Sequence, residues 1–227
     1  MKYFGGKNRL GKQIAEVINS FSVQSYHEPF CGLYSVGRHV MAPKRSGADT
    51  HPDLIHLLQA IQTGWIGPYN ITEAQYKELQ IAPTSALRGF VGFGCSFGGK
   101  FFGGYARDKT GRNYATNAAR SLIKLTPQIR NVTFFQQSYF DYVKGDALVY
   151  CDPPYKDTTG FSCGDFDPDI FWKWVRWLSQ DTIVLVSEYT APSDFEVIWE
   201  KLVRTDMNNA CNQKLSRVEK LFKYPVF

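Results

Sequence analysis

The chain is poor in the residues from which metal centres are built. Its five cysteines (Cys31, Cys95, Cys151, Cys163 and Cys211) form no Cys-x-x-Cys pair, and there are only four histidines. A zinc site is therefore not expected. An odd set of thiols without pairing motifs points to a reducing compartment. The opening Met1-Lys2-Tyr3-Phe4-Gly5-Gly6-Lys7 has no apolar signal segment behind it, and no apolar run is long enough to span a membrane. The expectation is a soluble, cytoplasmic chain with no membrane partner. No Gly-x-Gly-x-x-Gly occurs, which argues against a plain dinucleotide-dependent enzyme.

What is present is ordinary in bulk and unusual in placement. A hydrophobic fraction of 44% and a charged fraction of 21% suit a globular chain, and 227 residues suit one large domain with a small insertion. The net charge of +5 fits a polyanionic partner without requiring one. Short β-rich runs alternate with helical spacing. Leu10, Ile14, Val17 and Ile18 predict a helix within residues 9–20, and Tyr26 to Phe30 a strand. A helix is expected from Ser35 towards Val40, and another around Leu54 to Ile61 with Pro52 in its first turn. Residues 132–135, 147–151 and 182–186 read as strands, 169–178 and 193–201 as helices, and the late runs 202–203 and 221–226 as closing strands. This alternation predicts an α/β fold with a mostly parallel sheet. Between Trp65 and Gln128 the character changes. Phe90-Val91-Gly92-Phe93-Gly94 and Phe97-Gly98-Gly99-Lys100-Phe101-Phe102-Gly103-Gly104-Tyr105 interleave glycine with aromatics, Arg107, Lys109 and Arg112 follow, and a helix is expected from Tyr114 to Leu125. This stretch reads as an insertion.

Five motifs carry chemistry. Ala147-Leu148-Val149-Tyr150-Cys151 is a continuous apolar run, as in a strand buried on both faces. Asp152-Pro153-Pro154-Tyr155 ends it, because two prolines cannot extend a central strand. A carboxylate, stiffened carbonyls and an aromatic face at such a strand end suit a flat, amino-bearing heterocycle. Glu28-Pro29-Phe30-Cys31-Gly32 reads as a strand followed by a glycine turn, where backbone amides can meet a ligand. Asp49 is placed to end the neighbouring strand, as a ribose-binding acid or as a helix cap. Tyr3 and Lys7 flank a glycine pair that permits close approach to a ligand. The basic and aromatic insertion suits phosphates and bases, or is a loop anchored by buried phenylalanines.

Taken in order, these motifs resemble the Dam-like N6-adenine-specific DNA methyltransferases over almost the whole chain. Tyr3-Phe4-Gly5-Gly6-Lys7 is similar to the family's opening aromatic-Gly-Gly-Lys motif, and Glu28-Pro29-Phe30-Cys31-Gly32 to its acidic turn. Asp152-Pro153-Pro154-Tyr155 is similar to its catalytic loop, Val184 to Ser187 to the strand and turn that follow, and Arg217 to Leu221 to its late Glu-x-Leu segment. Leu33 stands where many members have a second glycine, and Gln136 to Phe140 lacks the acid often found near the cofactor adenine. The resemblance implies a Rossmann-like class I S-adenosylmethionine-dependent methyltransferase fold. Residues 1–64 and 129–227 would form the catalytic domain, and 65–128 an inserted target-recognition region.

It also implies S-adenosylmethionine as cofactor and double-stranded DNA as partner. Methyl transfer would go to N6 of a flipped adenine. Asp152, Pro153 and Tyr155 would be catalytic. Tyr3, Lys7, Phe30, Cys31, Gly32, Asp49, Ser138 and Asp152 would hold the cofactor, with Lys7 pairing a carboxylate. Lys100, Tyr105, Arg107, Lys109 and Arg112 would contact DNA, and the loop Lys156 to Asp167 would close over the flipped base. RNA adenine methylation, N4-cytosine methylation and an inactive nucleic-acid-binding homologue stay open. So do the recognised bases, any restriction–modification partner and the oligomeric state.

Overall fold

The computed structural model describes residues 1–107, 109–142, 144–155, 166–205 and 215–225. Seven strands form one sheet: β1 (Ser25–Glu28), β2 (Lys44–Asp49), β3 (Val132–Gln136), β4 (Ala147–Cys151), β5 (Val184–Glu188), β6 (Glu196–Thr205) and β7 (Leu215–Lys223). Their order is β3-β2-β1-β4-β5-β7-β6. Strands β1 to β5 run parallel, and β7 is antiparallel to both β5 and β6. This is a Rossmann-like sheet, parallel through β5 and closed by an antiparallel pair. The order reverses between β1 and β4, and a crevice opens beyond the carboxyl ends of strands at such a reversal. Glu28 and Asp152 stand at that point.

Strand β4 shows why its apolar run is continuous. Leu148 and Tyr150 pack into the larger core with Ile14, Tyr26 and Leu58. Val149 and Cys151 point the other way, against Phe171, Trp174, Val175 and Leu178. Those four residues line one face of α6 (Pro168–Leu178), which starts at Asp167, whose carboxylate accepts the Asp169 and Ile170 amides. Both faces of β4 are thus covered, and alternation along the strand vanishes.

Helix α1 (Gly11–Asn19) buries Ile14, Ala15 and Ile18, and α2 (Pro52–Gln62) carries proline in its first turn, as the sequence predicts. Two segments depart from expectation. Ser35 to Val40 makes only a 3-10 turn at Gly37–His39, because Tyr34 adopts φ 55° and its ring fills the space at Gly37 where a side chain would sit. Residues 193–201 enter strand β6, not a helix. Val197, Ile198 and Trp199 are β-branched or aromatic, and pairing with β7 overrides their local spacing.

The inserted stretch contributes no strand among its described residues, but its helices are not set apart from the sheet. Helix α3 (Glu73–Gln80) begins with a capping box between Thr72 and Gln75, a start signal present in the sequence. Helix α4 (Ala86–Gly94) contains the first of the two glycine and aromatic runs. Its glycines permit helix contact: a Cβ on Gly89 would lie 2.3 Å from the Asp53 carbonyl oxygen of α2. Buried Asp53 locks the pair, accepting Arg88 Nη1 at 2.5 Å and the Ser85 amide at 2.9 Å. Helix α5 (Tyr114–Ile129) leads back to β3 and buries Leu122, Leu125 and Ile129 in the main core.

Gly89→Ala should therefore destabilise the fold by about 1–3 kcal/mol through overpacking against backbone. Gly145→Ala, where a Cβ meets nothing within 4 Å, should change it by no more than about 0.5 kcal/mol. Urea unfolding of the two variants checks this, and equal midpoints would contradict the packing account.

Candidate active site

The first wall of the crevice follows β1. Gly32 takes φ +47°, and an added Cβ would lie 3.0 Å from the Tyr3 ring, so glycine allows both the turn and the ring's approach. The Gly32 amide donates to Asp49 Oδ2 at 3.1 Å, and the His51 amide donates to Oδ1 at 3.0 Å. Asp49 thus ties the loop after β1 to the end of β2. Burial pushes its carboxyl up, while the backbone amides of His51, Gly32 and Thr50 work against that rise. Each oxygen keeps lone-pair capacity for a hydroxyl donor. Tyr3 packs against Phe93 of α4, with ring centroids 5.0 Å apart.

The second wall is β4 and the residues around its end. Lys7 Nζ lies 2.8 Å from Asp152 Oδ1 and 3.5 Å from Glu219 Oε1. The same ammonium stands 4.3 Å above the Tyr155 ring. The Tyr155 hydroxyl donates to Glu219, and Tyr189 meets the Tyr155 ring edge-on at 4.8 Å. Burial raises the Asp152 carboxyl to about 6 against the pull of Lys7, and Glu219 adds to the rise. On Lys7, burial works to lower the pKa, but Asp152 and Glu219 prevail and raise it. Glu28 accepts the Tyr26 hydroxyl at 2.6 Å, and burial lifts it to about 8, so it is mostly neutral at pH 7.

The structure brings Tyr3, Gly32 and Asp49 together on one side and Lys7, Asp152 and Tyr155 on the other. Several residues sit differently from expectation. Lys7 pairs with the protein's own carboxylates, which satisfy the charge that the resemblance assigns to a cofactor carboxylate. Cys31 is buried, its thiol pushed up by burial and pointed at the Gly32 carbonyl at 3.6 Å, so it braces the turn. Ser138 accepts the Phe140 amide at 3.3 Å and caps a 3-10 turn. Phe30 is half-buried among Tyr139, Phe166 and Phe171. Pro153 is buried directly after Asp152.

In the inserted region, Tyr105 donates its hydroxyl to the Ile71 carbonyl at 2.6 Å, which makes it a tie between segments. Arg107 pairs with Glu73 of α3. Lys100, Lys109 and Arg112 are exposed. Arg112 lines a groove of about 570 Å³ together with Lys2, Arg38 and Lys124, along one stripe of α5. Positions 156–165 of the expected closing loop lie outside the described residues.

Glu219 is the acid of the late Glu-x-Leu segment, but it is not among the expected site residues. A signal for it is present in the sequence all the same: Glu219 shares the inward face of β7 with Leu221, and an acid at an inward position demands a partner.

Residues 3–85 match the family model described as D12 class N6 adenine-specific DNA methyltransferase. That segment contains the Tyr3, Gly32 and Asp49 wall. No curated protein matches the chain. Among solved structures, it is similar to a candidate RNA methyltransferase from Pyrococcus horikoshii, with 8% identity and a TM-score of 0.44 over 95% of this chain and 82% of that one. It is also similar to TrmN from Thermus thermophilus, with 8% identity and a TM-score of 0.41 over 94% of this chain and 49% of that one. A third, SMU.472, a candidate methyltransferase complexed with SAH, gives 9% identity and a TM-score of 0.36 over 98% of this chain and 54% of that one. This chain therefore spans about half the length of the latter two.

The matched family model implies S-adenosylmethionine as cofactor, and the chain has residues that fit it. Gly32 leaves no Cβ between its turn and Tyr3, and Asp49 offers acceptor oxygens at the end of β2. Asp49 would take the ribose hydroxyls. Asp49→Asn keeps an oxygen for Gly32 but loses the charge. It should weaken S-adenosylmethionine binding about tenfold by calorimetry, the value of roughly one charge-assisted hydrogen bond. Unchanged affinity would remove Asp49 from that role.

Proposed function

We propose that this methyltransferase acts on the exocyclic N6 of adenine in DNA. The observation that carries the reading is the Asp152 carboxylate at the β1/β4 reversal, followed by two prolines and a tyrosine. S-adenosylmethionine, when bound, supplies an electrophilic methyl group on a sulfonium. The chain's own residues must make a poor nucleophile competent. An exocyclic amine delocalises its lone pair into the ring, and acceptors on its N–H bonds draw it towards tetrahedral geometry. Asp152 and the Pro153 carbonyl are those acceptors, and the carboxylate also stabilises the positive charge that develops on nitrogen. Tyr155 offers its ring to the flipped base, a contact of about 1–3 kcal/mol.

The description of the matched family supports adenine in DNA. The groove with Lys2, Arg38, Arg112 and Lys124 supports a polyanionic substrate, because phosphates are held largely by such charges.

Labelled methyl transfer to unmethylated DNA, followed by digestion to nucleosides, tests the reading. Label should appear in N6-methyladenine. Asp152→Ala should lower transfer on the order of 10²–10³-fold. Label confined to RNA or to N4-methylcytosine would refute the substrate assignment.

The required form of Asp152 is the carboxylate, and its pKa is raised to about 6. Activity should therefore be full above that value and fall as pH drops through it. A kcat/KM profile measured from about pH 5 to 8 reports this limb for the free enzyme.

A further inference from the structure

Glu219 comes from β7, far along the chain from the Asp152–Tyr155 loop, yet it is buried and touches both that loop and its Lys7 partner. It accepts the Tyr155 hydroxyl, and its Oε1 lies 3.5 Å from the ammonium that holds Asp152. One cation thus stands between two carboxylates, nearer to Asp152 at 2.8 Å. That pairing sets up a competition for amine binding. Lys7 holds Asp152 Oδ1 and the Tyr155 hydroxyl also reaches this carboxylate, so an incoming amino group competes with both for its lone pairs. Pulling a largely desolvated ammonium from its near anion with no replacement would leave it poorly compensated, which is unfavourable.

We propose that Glu219 is a positioning residue that fixes the Tyr155 hydroxyl and offers Lys7 a second anion, so that Asp152 can exchange the ammonium for the substrate's amino group. This rests on Asp152 being the amine acceptor. A charge-assisted N–H···O contact is about 2.7–2.9 Å long, so Lys7 needs to move by only roughly that difference from 3.5 Å to close on Glu219. The shift also draws Lys7 away from Asp152, and the ammonium already covers one face of the Tyr155 ring.

Lys7 thus serves two carboxylates, Asp152 and Glu219, while burial lifts the third acid of the crevice, Glu28, to about 8. The groups that face Asp152 are Lys7 from the N-terminal loop, Glu28 of β1, Tyr150 and Cys151 of β4, Tyr155 after β4 and Glu219 of β7. Tyr189, after β5, faces Lys7 and Tyr155.

The test compares Glu219→Gln and Lys7→Met with wild type in methyl-transfer kinetics across pH, alongside the titration of the Asp152 carboxyl followed by carbon NMR on the free protein. The amide introduced by Glu219→Gln can still accept the Tyr155 hydroxyl but cannot neutralise an ammonium. Glu219→Gln should lower kcat/KM about tenfold or more and move the acid limb to lower pH, since a neighbouring negative charge is gone. Lys7→Met should move the limb to higher pH. Opposite shifts, seen in both kinetics and NMR, support the proposal. A Glu219→Gln enzyme with wild-type kcat/KM and an unmoved limb overturns it. If Glu219→Gln binds S-adenosylmethionine poorly, Glu219→Asp replaces it, and recovery of transfer there supports the charge requirement, whereas no recovery overturns it. Absence of wild-type transfer to DNA refutes the functional reading instead, and the Asp152 titration in the two variants then decides the charge coupling alone.

Discussion

The ion pair between Lys7 and Asp152, largely shielded from water, is the constraint on which the site depends. Asp152 must stand at the end of β4 with most of its carboxylate out of water, and an unpaired charge there would take up a proton. Lys7 prevents this only in part: the carboxyl still rises to about 6. The ammonium in turn comes from the N-terminal loop, so that loop must be pinned. It is pinned by backbone bonds, since the Phe4 amide donates to the Gly99 carbonyl at 3.2 Å and the Gly11 amide to the Lys7 carbonyl at 2.6 Å. Glycine at 11 is required, because a Cβ there would lie 2.2 Å from the Ser35 carbonyl oxygen. The ion pair therefore reaches from the first residues of the chain to β4, and through Glu219 to β7.

Much of this is legible in the sequence because it rests on strong local rules. The double proline after an apolar run fixes the end of β4, and Pro52 fixes the start of α2. Strands with both faces covered announce themselves as continuous apolar runs. What is not legible depends on contacts distant in sequence. Residues 193–201 carry helical spacing, but their fate is set by pairing with β7. The glycines of α4 argue for a loop on propensity alone, whereas packing on Asp53 and the Phe101 ring requires them in a helix. The sequence places Lys7 near ligand chemistry, yet its partner is unreadable there: which carboxylate meets an ammonium is decided by strand order. The same holds for Tyr105, whose hydroxyl finds the Ile71 carbonyl.

The site also runs against stability. Asp152 and Glu28 both have folded-state values above their ordinary ones, by burial first. The folded chain therefore holds more protons at these two groups than the unfolded chain between about pH 4 and 8. Stability contributed by them is present at low pH and is lost as pH rises through the folded values. Above about pH 6, where Asp152 is ionised, the fold bears the cost of its charge. Packing elsewhere, chiefly the two cores on either face of β4, must offset that.

Packing also joins the wall with Asp49 to residues 65–128. Tyr3 lies on Gly32 on one side and against Phe93 of α4 on the other, and Phe93 packs on Phe101 at 4.7 Å. Phe101 meets His51, whose amide is held by Asp49. A closed path of contacts thus runs from Asp49 through His51, Phe101, Phe93 and Tyr3 to Gly32, and back to Asp49 through the Gly32 amide. Because close-packed interiors transmit displacement, a shift of α4 moves Tyr3 and with it the turn at Gly32. The region with the basic groove and the wall with Asp49 are for this reason mechanically one body, although the sequence separates them as motif and insertion.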